Sequence, residues 1–115
     1  MKYFSVCILI SFCMFSCASD KVEIPDGVLP VEKMVLVMAD VQITEAAMMY
    51  RNSNGDFTDN KAPAYYQFIF SKHKISEKVF RDSFKFYSDK PELMDKIYEE
   101  VIIEITKRQA VMPVK

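Results

Sequence analysis

Asp40, Glu45 and His73 are the side chains whose types suit proton transfer, and Cys17 carries the thiol best placed for covalent attachment. Lys74, Lys78, Arg81 and Lys85 step at four, three and four residues, which lines four cations along one side of a helix. Asp40 and Glu45 share a helical segment but stand about 140° apart around its axis, so they form no carboxylate pair by themselves. A catalytic pair would need a partner from another helix. The competing reading is structural: one of the two pairs with Lys72, His73 or a tyrosine hydroxyl on a neighbouring helix. His73, between Lys72 and Lys74 at a helix end, could equally cap that end, where the dipole favours positive charge. The basic strip suits anionic headgroups or an acidic partner, although Glu77 and Asp82 within it also fit an ordinary solvated face.

Several chemistries are disfavoured by counting. Gly27 and Gly55 are the only glycines, too few for a Gly-rich phosphate loop. His73 is the only histidine and all three cysteines, Cys7, Cys13 and Cys17, lie in the first 17 residues, so no metal site and no cofactor are expected. The oxygen-rich run Asn52-Ser53-Asn54-Gly55-Asp56 resembles a calcium loop, but placing Gly55 sixth makes Tyr50 the first ligand and Lys61 the twelfth, and neither supplies a carboxylate. A net charge of −1 gives no reason to expect nucleic acid as a partner.

Cys17 draws its interest from what precedes it. Lys2, an apolar run from Tyr3 to Phe15, and Ser16 before the cysteine read as a lipoprotein signal over residues 1–16. As a helix the stretch from Tyr3 to Ser16 would reach roughly 21 Å, short of the roughly 30 Å hydrocarbon core. A retained anchor helix or an ordinary signal cut elsewhere are the other readings. On the lipoprotein reading, the Cys17 thiol takes a diacylglycerol and cleavage frees an amine for further acylation, palmitate being a typical chain. Two or three chains anchor stably where one does not. Ala18 and Ser19, rather than an acidic residue, lean towards the outer membrane of the cell envelope over the inner.

Residues 17–29 then read as the lipidated cysteine and a flexible tether, and residues 30–112 as one helical domain, since removing residues 1–16 leaves 99 of 115, enough for a single core. Pro30 and Glu32 start a helix whose apolar face runs through Val31, Met34, Val35, Met38, Val41, Glu45 and Met49 to about Tyr50. Asp59 or Asn60 can cap a second helix with Pro63 in its first turn, Tyr65, Phe68 and Ile69 inward, and an end near His73. Ser76 caps a third, with Ile75 and Phe80 as a hydrophobic staple and Phe80, Phe84 and Tyr87 on one face around Ser83. Ser88-Asp89-Lys90-Pro91 breaks it and opens a fourth, with Met94, Ile97, Tyr98, Val101 and Ile105 inward as far as about Gln109. Glu104 and Arg108 sit at the favourable four-residue spacing, and aromatic packing is expected to dominate the core.

The order of these features, from Ile24-Pro25 and Leu29-Pro30 through Asp40, Glu45-Ala46, Tyr65-Tyr66, Ile69-Phe70, Lys72-His73-Lys74-Ile75-Ser76, Phe80, Ser83, Tyr87-Ser88 and Pro91-Glu92, resembles the Bacteroidota lipoprotein family catalogued as domain of unknown function 4296. Against that family's pattern, Gln42 stands where a histidine is frequent and Lys74 where a glycine is. The resemblance implies an envelope-attached, all-helical domain and brings no activity, substrate or cofactor. The segment from Ile75 to Tyr98 is also similar, at fold level only, to helical parts of periplasmic parvulin-type chaperones. The expectation is therefore an all-α bundle of about four helices, held on the membrane through lipid at Cys17. Its expected role is a binding or scaffold module for an envelope protein partner, without catalytic activity. A holdase for envelope clients, or a hydrolase using Asp40, Glu45 or His73, are the alternatives.

Overall fold

A computed structural model describes residues 21–55 and 61–112 of the chain. Cys17, the leader, and the capping positions Asp59 and Asn60 lie outside the described residues. Among those described, four helices follow one another: α1 (Val31–Ser53), α2 (Ala62–His73), α3 (Glu77–Ser88) and α4 (Pro91–Val111). The protein is an all-α bundle, as the hydrophobic periodicity requires.

α1 is the central element, packing chiefly against α4 and α2, while α3 packs against α4. Its first half is buried over more than the expected stripe: Met34, Val35, Val37, Met38 and Ala39 are all inside. Partners on several sides leave that half little exposed surface. Its second half has fewer neighbours, because Asp40 is level with Arg108, close to the end of α4. Met49, expected inward, is accordingly exposed.

Helix ends follow their local chemistry. Pro91 begins α4, and Ser76 Oγ accepts a hydrogen bond from the Val79 N–H at 3.2 Å, capping α3. α2 ends in a Schellman motif: Ile75 N–H donates to the Phe70 carbonyl and Lys74 N–H to the Ser71 carbonyl, each at 3.0 Å. Lys74 takes the left-handed conformation this requires, with φ of 55°. Ile75, partly buried against the core, thus closes one helix and opens the next.

The inner face of α2 is rotated by about one residue from the expected one. Ile69, Phe70 and His73 are buried and Tyr66 is partly so, whereas Phe68 is 70 % exposed. Phe70 meets Phe80 of α3 at a centroid separation of 5.3 Å, and that contact selects the face. The core itself is less aromatic than expected. Tyr87, Met34, Ile97, Val37, Val101 and Ser83 are its largest fully buried side chains, and the rings of Tyr66, Phe70, Phe80 and Phe84 form a chain towards its edge. The folded domain also begins before Pro30. A turn closed by Val28 N–H on the Pro25 carbonyl, with Gly27 at φ of 86°, leads into Leu29, which is buried.

Candidate functional site

The ionisable residues separate into two places. In the first, the Asp40 carboxylate on α1 accepts hydrogen bonds from three cationic or imidazole groups on two other helices. Lys72 Nζ (2.9 Å) and His73 Nε2 (2.6 Å) reach one oxygen, and Arg108 Nη1 (2.6 Å) reaches the other. Arg108 Nε also donates to Glu104 at 2.8 Å. Burial pushes the Asp40 pKa up, but the hydrogen bonds from Lys72, His73 and Arg108 outweigh it and hold the group at about 2. An ionised carboxylate only accepts, so His73 carries a proton on Nε2. With Glu104 beside it, Arg108 is held even more firmly in its charged form.

Glu45 lies elsewhere. Its carboxylate accepts the Tyr66 hydroxyl at 2.8 Å, which raises the Tyr66 pKa through that hydrogen bond and through burial. Of the three candidate acid–base residues, the fold therefore joins Asp40 with His73 and gives Glu45 a different partner. The contribution of Arg108 is not apparent from pairwise spacing along one helix. Its signal is the stripe Ile97, Val101, Glu104, Arg108, which carries an arginine onto the buried face of α4, and an aspartate among buried neighbours on α1 requires such a partner. Within the basic strip, Lys78 pairs with Asp82 and Arg81 with Glu77, while Lys74 serves as the α2 cap. Among the described residues no group of three or more His, Cys, Asp or Glu side chains could hold a metal ion.

The second place is a groove of about 520 Å³. It is lined by Met38 and Val41 of α1 and by the rings of Tyr66 of α2, Phe80 and Phe84 of α3 and Tyr98 of α4. Gln42, Glu45, Arg81 and Lys85 bring polar groups to it. Tyr98, expected in the core, is in fact 38 % exposed at this edge, as is Phe84. Glu45 and two members of the basic strip thus meet at an apolar cleft that neither helix makes alone.

The family description "Domain of unknown function (DUF4296)" matches residues 25–111. The chain belongs to that family. No curated protein and no solved structure matches it. The DUF4296 match begins at Pro25, where the turn ahead of Leu29 begins, and ends at Val111, where α4 ends, so the family unit coincides with the packed domain. None of its described helices is long and apolar enough to cross a membrane.

Proposed function

We propose that this DUF4296 protein is a lipid-anchored binding or scaffold module of the bacterial cell envelope, tethered through Cys17 and binding a partner protein in the groove lined by residues of all four helices. The observation that carries this reading is the groove itself: aromatic rings from α2, α3 and α4 line it, Phe84 and Tyr98 among them exposed, together with a few polar groups. Binding sites are concave, mostly apolar and marked by a few convergent polar groups. The other candidate, the Asp40 cluster, supports architecture over proton transfer. Both of its oxygens are engaged by groups on other helices, and its low pKa makes it a poor base near neutrality.

The leader sequence and the small residue before Cys17 support anchoring, in the manner of Bacteroidota lipoproteins and with the outer membrane favoured. Cys17→Ser is expected to abolish membrane fractionation; a processed Cys17→Ser protein that still sediments with membranes would refute the lipid anchor. Photocrosslinking from position 98 in cells of origin is expected to give one or two discrete adducts. A broad set of unfolded clients would instead favour a holdase, a reading supported by exposed Phe68, Ile102 and Ile103.

A further inference from the structure

The groove has the form of an unfilled place in a helical bundle. Met38, Val41, Gln42 and Glu45 share one face of α1, with Val41 and Gln42 three and four residues after Met38 and Glu45 three and four after them, spanning about 10 Å of the helix at 1.5 Å per residue. Phe80 and Phe84 of α3, 6.2 Å apart, and Tyr98 of α4 also line the groove. Ile102, one turn beyond Tyr98 on the same stripe of α4, is 65 % exposed. A second hollow of about 330 Å³ shares Tyr66, Phe80 and Arg81 with the first, so the apolar surface continues past this ridge.

Three features select an occupant. The groove is walled by helices, whose backbone groups are committed to their own hydrogen bonds, so an extended peptide would find no strand edge to join. It is open to solvent on one side. An acyl chain would stay wet along that flank, whereas an amphipathic helix turns its polar face there and packs its apolar ridge between those of the bundle. The charge on the α3 side of the groove is positive. Lys85 makes no ion pair among the described residues, and Arg81 gives one amino group to Glu77 at 3.2 Å and keeps other donors in reserve. Glu45, on α1, keeps its negative charge while accepting the Tyr66 hydroxyl, so the positive edge is the one that α3 supplies.

We infer that the groove receives an amphipathic helix of a partner protein, two to three turns long, whose apolar stripe is flanked by acidic residues facing Arg81 and Lys85. This rests on the groove being the binding surface, and the two ideas fail differently. The test uses the full chain in phosphatidylcholine nanodiscs and two fluorescent helical peptides with leucines at i, i+3, i+4 and i+7. One peptide has a glutamate flank and the other a lysine flank, and binding to empty discs is subtracted.

The glutamate peptide is expected to bind about five- to tenfold more tightly, with the advantage shrinking as salt rises. R81E/K85E, two exposed changes, should reverse the preference, and Phe84→Asp should weaken both peptides. Equal affinities that Phe84→Asp still lowers would overturn the acidic partner and leave the groove as a binding surface. Binding indifferent to Phe84→Asp, or no binding of either peptide, would overturn the helix occupant altogether. Displacement of the glutamate peptide by phosphatidylglycerol liposomes, lost in R81E/K85E, would assign the cations to lipid and also overturn the proposal.

Discussion

Asp40 is the residue on which three helices depend, since its carboxylate joins α1 to Lys72 and His73 at the end of α2 and to Arg108 on α4. Removing it takes the acceptor from the buried His73 and leaves Arg108 with Glu104 alone. Asp40→Ala is therefore expected to destabilise the domain by about 2 kcal/mol in urea titrations, less than for a fully buried pair because Lys72 is half exposed. Its pH dependence has a definite sign. The folded pKa of about 2 lies below the ordinary value of 3.8, so the stabilisation is complete above roughly pH 5 and fades as pH falls towards 2. It amounts to roughly 1–2 kcal/mol after allowance for solvent around Lys72. The difference in unfolding free energy between wild type and Asp40→Asn should accordingly be flat near neutrality and shrink through that acid window. A difference that stays constant down to pH 2.5 would mean that the carboxylate is not held by these partners.

At the scale of elements, the connection between α2 and α3 is the most constrained, and Lys74 is its costly member. A residue with a side chain at φ of 55° is disfavoured by about 1 kcal/mol or more, and glycine removes that cost while losing some chain entropy. Lys74→Gly is expected to raise stability by about 0.5–1 kcal/mol, read as an upward shift in the thermal midpoint. The same region explains what could be read from sequence. Ser76, Ile75 and Phe80 specify the start of α3 through contacts a few residues apart, and Pro91 does so for α4, because caps and staples are local. The face of α2 was not legible, since Tyr65, Tyr66, Phe68, Ile69 and Phe70 offer apolar groups in nearly every direction and the Phe80 ring decides among them. Likewise, the periodicity of α4 puts Tyr98 on an inward stripe, but whether a stripe position is covered depends on how many neighbours the bundle supplies. The pairing of Asp40 with Arg108, 68 residues apart, is long-range in the same sense.

At the scale of the whole molecule, the place where the chain enters the domain is fixed through the backbone of a single residue. Leu29 N–H donates to Ser83 Oγ at 2.8 Å and the Leu29 carbonyl accepts the Tyr87 hydroxyl at 2.6 Å, so both polar groups of this buried residue are satisfied by α3. Ser83 Oγ in turn donates to the Val79 carbonyl, which orients its lone pair towards Leu29. Tyr87 is fully buried, and burial raises its pKa, so its hydroxyl stays a donor across the physiological range. Any load carried by a tether upstream would thus reach α3 before it could unwind the start of α1. Tyr87→Phe keeps the ring and removes one bond, and should cost about 1–2 kcal/mol; Ser83→Ala orphans the Leu29 N–H at a similar cost. If the two bonds act as one clamp, the double variant should lose less than the sum of the singles, because once one bond is gone the segment can already lift. Amide exchange at Leu29 should accelerate in each single variant while exchange at Val101, in the centre of α4, tracks only global stability. Equal acceleration at both positions would mean that the clamp is an ordinary part of the core, with no separate hold on the incoming chain.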